Sequence, residues 1–104
     1  MIVKLVRDKI PNLIREAGKI PETRMADPEK EMPIFLYQKM IEELGEYYEN
    51  PSIEEAADMF EVLLGICHNS CIEWSDVVKK ADHKRATNGA FDLGIILTNV
   101  NEVE

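Results

Sequence analysis

The chain has 104 residues, a length that suits one domain, and its 45% apolar and 31% charged content is that of an ordinary globular protein. A net charge of −8, from 12 basic and 20 acidic residues, argues against non-specific binding to duplex nucleic acid. No apolar run is long enough to cross a bilayer, and the apolar start is too short for a secretory signal. The expectation is therefore a single cytoplasmic domain over residues 1–104 with no membrane partner.

Taken in chain order, residues 2–6 are apolar and partly β-branched and read as a small strand. Asp8 stands where it can cap a helix that begins near Lys9, tolerates Pro11 in its first turn and stops at Gly18. Residues 19–33 hold three prolines and read as loop. A second helix is expected from Pro33 to Glu49, with Tyr37, Met40, Ile41, Leu44, Tyr47 and Tyr48 at three- and four-residue spacing. Asn50 and Pro51 end it, and Ser52 caps a third helix with Glu55 at the capping-box position.

That third helix carries Ile53, Ala56, Ala57, Phe60, Leu63, Leu64 and Cys67, and Val62 and Ile66 widen the stripe almost to the full circumference. In so short a chain the simplest source of cover on several sides is another subunit. A fourth helix is expected over residues 73–87, with Trp74, Val77, Val78 and Ala81 inward, and residues 95–97 read as a short strand able to pair with residues 2–6. The predicted fold class is all-α. It is a helical bundle round an antiparallel helix hairpin, with a short terminal β-ribbon and an oligomeric assembly. Cys67 and Cys71 sit one helical turn apart on one face with His68 between them, too few ligands for a zinc site, and read as buried reduced thiols.

Charge is unevenly placed. Seven basic residues lie in the first 30 positions and four more in residues 79–85, while residues 42–61 hold eight acids and no base. Within that acidic middle, Glu43 and Glu46 are three apart on one helix, and Glu55 and Asp58 are three apart on the next. Side chains at i and i+3 share a face, and the tight turn makes the two helices antiparallel neighbours, so both pairs lie at similar distances from the turn. Four facing carboxylates repel unless a cation sits between them, and hard oxygen donors select Mg²⁺, Mn²⁺ or Ca²⁺ over zinc. The competing interpretation is that these acids only solvate a helix face, with Glu55 serving as a capping residue.

The residues also carry a resemblance. Glu42-Glu43-Leu44-Gly45-Glu46 followed by Glu55-Ala56-Ala57-Asp58 across a hairpin is similar to the metal motif of the MazG-like all-α nucleoside triphosphate pyrophosphohydrolases. Lys4-Leu5-Val6-Arg7-Asp8-Lys9-Ile10-Pro11 resembles the opening, and Lys84-Arg85-Ala86-Thr87-Asn88-Gly89-Ala90-Phe91 the closing motif, of a phosphoribosyl-ATP pyrophosphohydrolase-like branch. The resemblance implies that Glu43, Glu46, Glu55 and Asp58 ligate Mg²⁺, with Mn²⁺ as a substitute. It also implies that Glu42 and Glu43 serve the catalytic step, Glu42 assisting the attacking water, and that Arg7, Asp8, Lys9, Lys84 and Arg85 bind substrate. Asn88 stands where the branch has Arg, and Ala90 where it has Gly, which removes a guanidinium from the phosphate side.

The implied reaction is hydrolysis of a nucleoside triphosphate to the monophosphate and pyrophosphate, a nucleotide-pool housekeeping role, in a homodimer or homotetramer. Two alternatives stand beside it: hydrolysis of phosphoribosyl-ATP in histidine biosynthesis, and a non-catalytic helical interaction module.

Overall fold

The computed structural model describes residues 3–103. Its regular structure is four helices: α1 (Ile10–Glu16), α2 (Met32–Glu49), α3 (Ile53–Asn69) and α4 (Trp74–Asn88). Residues 3–6 and 95–97 carry no regular structure, and no strand occurs among the described residues. The chain divides into two compact units, Met1–Glu73 and Trp74–Glu104. No helix among the described residues is long and apolar enough to cross a membrane.

Local sequence explains most of the helix ends. Pro11 falls in the first turn of α1, where a missing N–H costs nothing. The cap position of α1 belongs to Lys9 and not to Asp8, and no side chain caps this end. Asp8 lies one residue too early for its carboxylate to reach the free N–H groups. After α1 the backbone turns left-handed at Gly18 (φ 82°), and the N–H of Lys19 donates to Ile14 O at 3.1 Å. Ser52 Oγ accepts from Glu55 N–H at 3.1 Å and so caps α3 as expected.

The loop before α2 is fastened at both ends. Arg24 grips Glu31 through two hydrogen bonds of 3.0 and 2.8 Å, and Asp27 N–H donates to the same carboxylate at 2.9 Å. Asn69 Nδ2 donates to Pro28 O at 3.2 Å and ties the loop to the end of α3. The Arg24 hydrogen bonds, helped by the Asp27 N–H, lower the Glu31 pKa from 4.5 to about 2. A depressed carboxylate contributes stability above its unfolded pKa and loses it as pH falls through the folded value. The loop clamp is therefore intact above about pH 4.5 and released towards pH 2. A ¹³C titration of the Glu31 carboxyl should show this low midpoint, and Arg24→Ala should return it towards 4.5.

Helices α2 and α3 pack against each other as an antiparallel hairpin. The packed face of α2 runs through Leu36, Met40, Glu43 and Tyr47, at spacings of four, three and four. Leu36, Val62 and Cys67 are the buried apolar residues of the described chain, and Glu43 is the buried charged one. Close approach is set by Gly65, where an added Cβ would lie 3.3 Å from Leu36 Cδ2. Ala56 and Ala57, members of the apolar stripe expected on this helix, are exposed.

The strongest apolar stripe of α2 points elsewhere. Tyr37, Ile41, Leu44 and Tyr48 are all at least 55% exposed, as is Ile34 before them. On α3, Ile53, Phe60 and Leu63 are exposed as well. The hairpin thus buries one narrow seam and leaves further apolar surface on both helices.

Two other expectations are corrected. α3 ends at Asn69, and Cys71 follows in the left-handed region (φ 59°), so Cys67 and Cys71 do not share a helical face. Cys67 is buried, Cys71 is exposed, and both are free thiols. On α4, Trp74 and Val77 are half-buried, but Val78 and Ala81 are exposed. A single helix has no second layer within its own unit to bury them.

Candidate metal centre

The antiparallel register builds the site. With Leu36 opposite Gly65, counting along both helices towards the turn brings residue 43 level with 58 and residue 46 level with 55. Glu43, Glu55 and Asp58 each present an oxygen within 4.8 Å of the others. Glu43 is only 7% exposed, and Glu55 and Asp58 are half-buried. Glu43 Oε2 and Glu55 Oε2 are buried with no hydrogen-bond partner.

Such an arrangement is costly as it stands. A buried carboxylate oxygen without a partner carries its full desolvation penalty, and like charges add to it. Burial raises the Glu43 pKa, with Glu46 and Asp58 adding repulsion and Lys39 partly offsetting both. Burial also raises Glu55, followed by the charge of Glu46 and a side-chain hydrogen bond between those two carboxyls, and then by the charges of Asp58 and Glu43. A divalent cation bound by oxygen would supply what the two orphaned acceptors lack. The donor set is all carboxylate, which suits Mg²⁺ or Mn²⁺ and not a soft metal.

The remaining expected ligand, Glu46, is exposed and lies outside the three-carboxylate group. Its charge still acts on both Glu43 and Glu55. Glu42 faces two lysines instead. Lys39 Nζ is 3.4 Å from Glu42 Oε2, and Lys4 Nζ is 3.9 Å from Glu42 Oε1. Lys39 also reaches Glu43 Oε1 at 3.4 Å. Lys39 was not singled out in the sequence, although its i, i+3 and i, i+4 spacing to Glu42 and Glu43 signals both contacts.

Arg7 enters the site from the N-terminal segment, donating from Nη2 to Asp58 Oδ1 at 2.7 Å. Asp8 and Lys9 are exposed and form no ion pair with the cluster among the described residues. Lys84 and Arg85 lie on α4, in the second compact unit, where Arg85 Nη1 is 3.6 Å from Asp82 Oδ1. No known protein family, curated protein or solved structure gives a significant match to the chain.

A metal ion at this cluster would compete with Arg7 for Asp58. Exposed ion pairs are worth about 0.2–1 kcal/mol, so Arg7→Ala should tighten Mg²⁺ binding by up to about fivefold. Calorimetric titration of both proteins measures this; weaker binding in the variant would show that Arg7 supports the site.

Proposed function

We propose that the protein is a magnesium-dependent nucleoside triphosphate pyrophosphohydrolase of the MazG-like kind, acting on the α–β phosphoanhydride bond. The observation that carries this reading is the meeting of Glu43, Glu55 and Asp58 across one hairpin, with two buried carboxylate oxygens lacking any partner. An acidic helix face that served only for solvation would turn these oxygens to water. The opening and closing motifs around Arg7 and Lys84 add the resemblance to that branch.

In this reading Glu43, Glu55 and Asp58 would hold the metal, and Glu46, whose charge acts on Glu43 and Glu55, would tune it or complete the ligand set. A divalent ion there supplies charge neutralisation for the triphosphate and activation of water. Glu42 holds Lys4 and Lys39 towards the substrate, and Glu43 is the carboxylate that serves the attacking water. Arg7, released from Asp58, meets phosphate oxygens, and Lys9 is a further cation of the substrate side; a substrate role for Lys84 and Arg85 rests on the resemblance of the closing motif alone.

We also infer a homo-oligomer. Tyr37, Ile41, Leu44 and Tyr48 form one exposed apolar stripe on α2, and three apolar residues form a core too small for a stable isolated domain. A second copy of the hairpin covers such a stripe by the same helix packing that joins α2 to α3.

The test is product analysis over a panel of canonical and modified nucleoside triphosphates and phosphoribosyl-ATP, with Mg²⁺, with Mn²⁺ and with EDTA. Metal-dependent formation of monophosphate and pyrophosphate is expected. Turnover of phosphoribosyl-ATP alone would assign the histidine-pathway reaction. No turnover with any substrate would remove the enzymatic reading and favour an interaction module.

A further inference from the structure

Beside the carboxylate cluster lies a cavity of about 140 Å³, lined by Lys4, Leu5, Phe35, Gln38, Lys39 and Glu42. Pockets that enclose a whole small-molecule ligand start at about 300 Å³, so this one takes only part of a ligand. Two ammonium groups and one carboxylate line it. A net positive cavity therefore adjoins the net negative metal cluster, and Lys39 is the wall between them.

The lysines are poorly matched where they are. The Lys39 side chain is only 18% exposed, yet its Nζ approaches Glu42 and Glu43 no closer than 3.4 Å. Lys4 Nζ stays 3.9 Å from Glu42. Strong bonds from an ammonium to a carboxylate run about 2.7–2.9 Å, and each ammonium has three protons to donate. A phosphate group offers several charged oxygens at once and satisfies both lysines better than the single Glu42 carboxylate. We propose that this cavity binds the terminal, β- and γ-phosphate end of the substrate, with Lys39 and Lys4 as its ligands. The proposal rests on the reading of the protein as a triphosphate hydrolase. It places the departing pyrophosphate beside Lys39, which also reaches the carboxylate of Glu43, and since an in-line attack comes from the opposite face, Glu42 in this cavity positions the two lysines.

The test uses the full chain as wild type, Lys39→Gln and Lys4→Gln. Each protein is titrated by calorimetry with Mg²⁺ alone, then with inorganic pyrophosphate and with a nucleoside monophosphate in its presence. Lys4 lies half-exposed ahead of the helices, so its variant keeps the fold even if Lys39→Gln does not. Either substitution is expected to weaken pyrophosphate binding about tenfold and to leave monophosphate binding unchanged; a tenfold loss is about 1.4 kcal/mol. Mg²⁺ affinity should be unchanged in Lys4→Gln and tighter in Lys39→Gln. Unaltered pyrophosphate binding in both variants would overturn the proposal. So would loss of monophosphate binding instead, which would make the cavity, with Phe35 and Gln38, a nucleobase site. If wild type bound no Mg²⁺ yet lost pyrophosphate binding with either lysine, the metal reading would fall while the cavity assignment held.

Discussion

Saturating Mg²⁺ is expected to raise the melting temperature of the metal-free protein by roughly 10–20 °C at neutral pH. A ligand present at about 100 times its dissociation constant stabilises the folded state by about 2.7 kcal/mol, and each kcal/mol moves the midpoint of a domain this size by about 4–8 °C. The physical source is the cost that the cation removes: two buried oxygens without partners and the mutual repulsion of Glu43, Glu55 and Asp58. Glu43→Gln keeps the shape and removes one charge. It should melt higher than wild type without metal, show little response to Mg²⁺, and lose at least about 100-fold in turnover.

The sign with pH follows from the raised carboxylates. A carboxylate whose folded pKa is raised contributes stability below its unfolded value of 4.5, and that contribution is lost as pH rises through the folded value. Without metal, this term destabilises the protein on approach to neutrality. Protons compete with the cation, so the Mg²⁺-induced rise shrinks as the solution is acidified towards pH 4.5. Differential scanning calorimetry with and without Mg²⁺ at several pH values measures both effects. A melting temperature indifferent to Mg²⁺ at neutral pH would contradict the assignment.

Leu36→Ala should cost about 2–5 kcal/mol in unfolding free energy, the range for emptying a buried leucine site. Leu36 is 5% exposed and fills the hairpin seam against Gly65. Helix backbones held close at Gly65 cannot collapse much further, which favours the upper half of the range. Small domains have only about 5–15 kcal/mol in total, so the variant should be close to unfolding at ordinary temperature. Leu44→Ala, at a position 55% exposed, should cost well under 1 kcal/mol within the subunit and instead weaken association. Urea titration across protein concentrations separates the two. A loss below 1 kcal/mol for Leu36→Ala would show that the seam is not the core.

Much of the fold could be read from residue pattern alone. Three- and four-residue apolar spacing located α2 and α3 within one residue at their starts, and Asn50, Pro51 and Ser52 marked the turn between them. That turn was enough to set Glu43 opposite Asp58 and Glu46 opposite Glu55. Periodicity failed on orientation. Apolar spacing reports that a face seeks cover and does not say from what, so Met40 and Tyr47 of the buried seam were merged with the exposed Tyr37–Ile41–Leu44–Tyr48 stripe, and Leu36 was left out. The buried glutamate in the seam is the reason the second face is harder to see.

Side-chain reach accounts for the remaining differences. Asp8 has the right chemistry for a cap and stands one residue too early. Gly65, which apolar periodicity does not mark, sets the contact between α2 and α3. Arg7 was singled out by its motif, but its pairing with Asp58 spans 51 residues and has no local signature.

The most direct test of the central claim is one turnover experiment in ¹⁸O-labelled water, with a nucleoside triphosphate and Mg²⁺, followed by mass spectrometry of both products. The proposed hydrolysis at the α-phosphorus puts the label in the monophosphate and none in the pyrophosphate, and Glu43→Gln yields neither product. Label in pyrophosphate or orthophosphate, or full turnover by Glu43→Gln, would contradict the account.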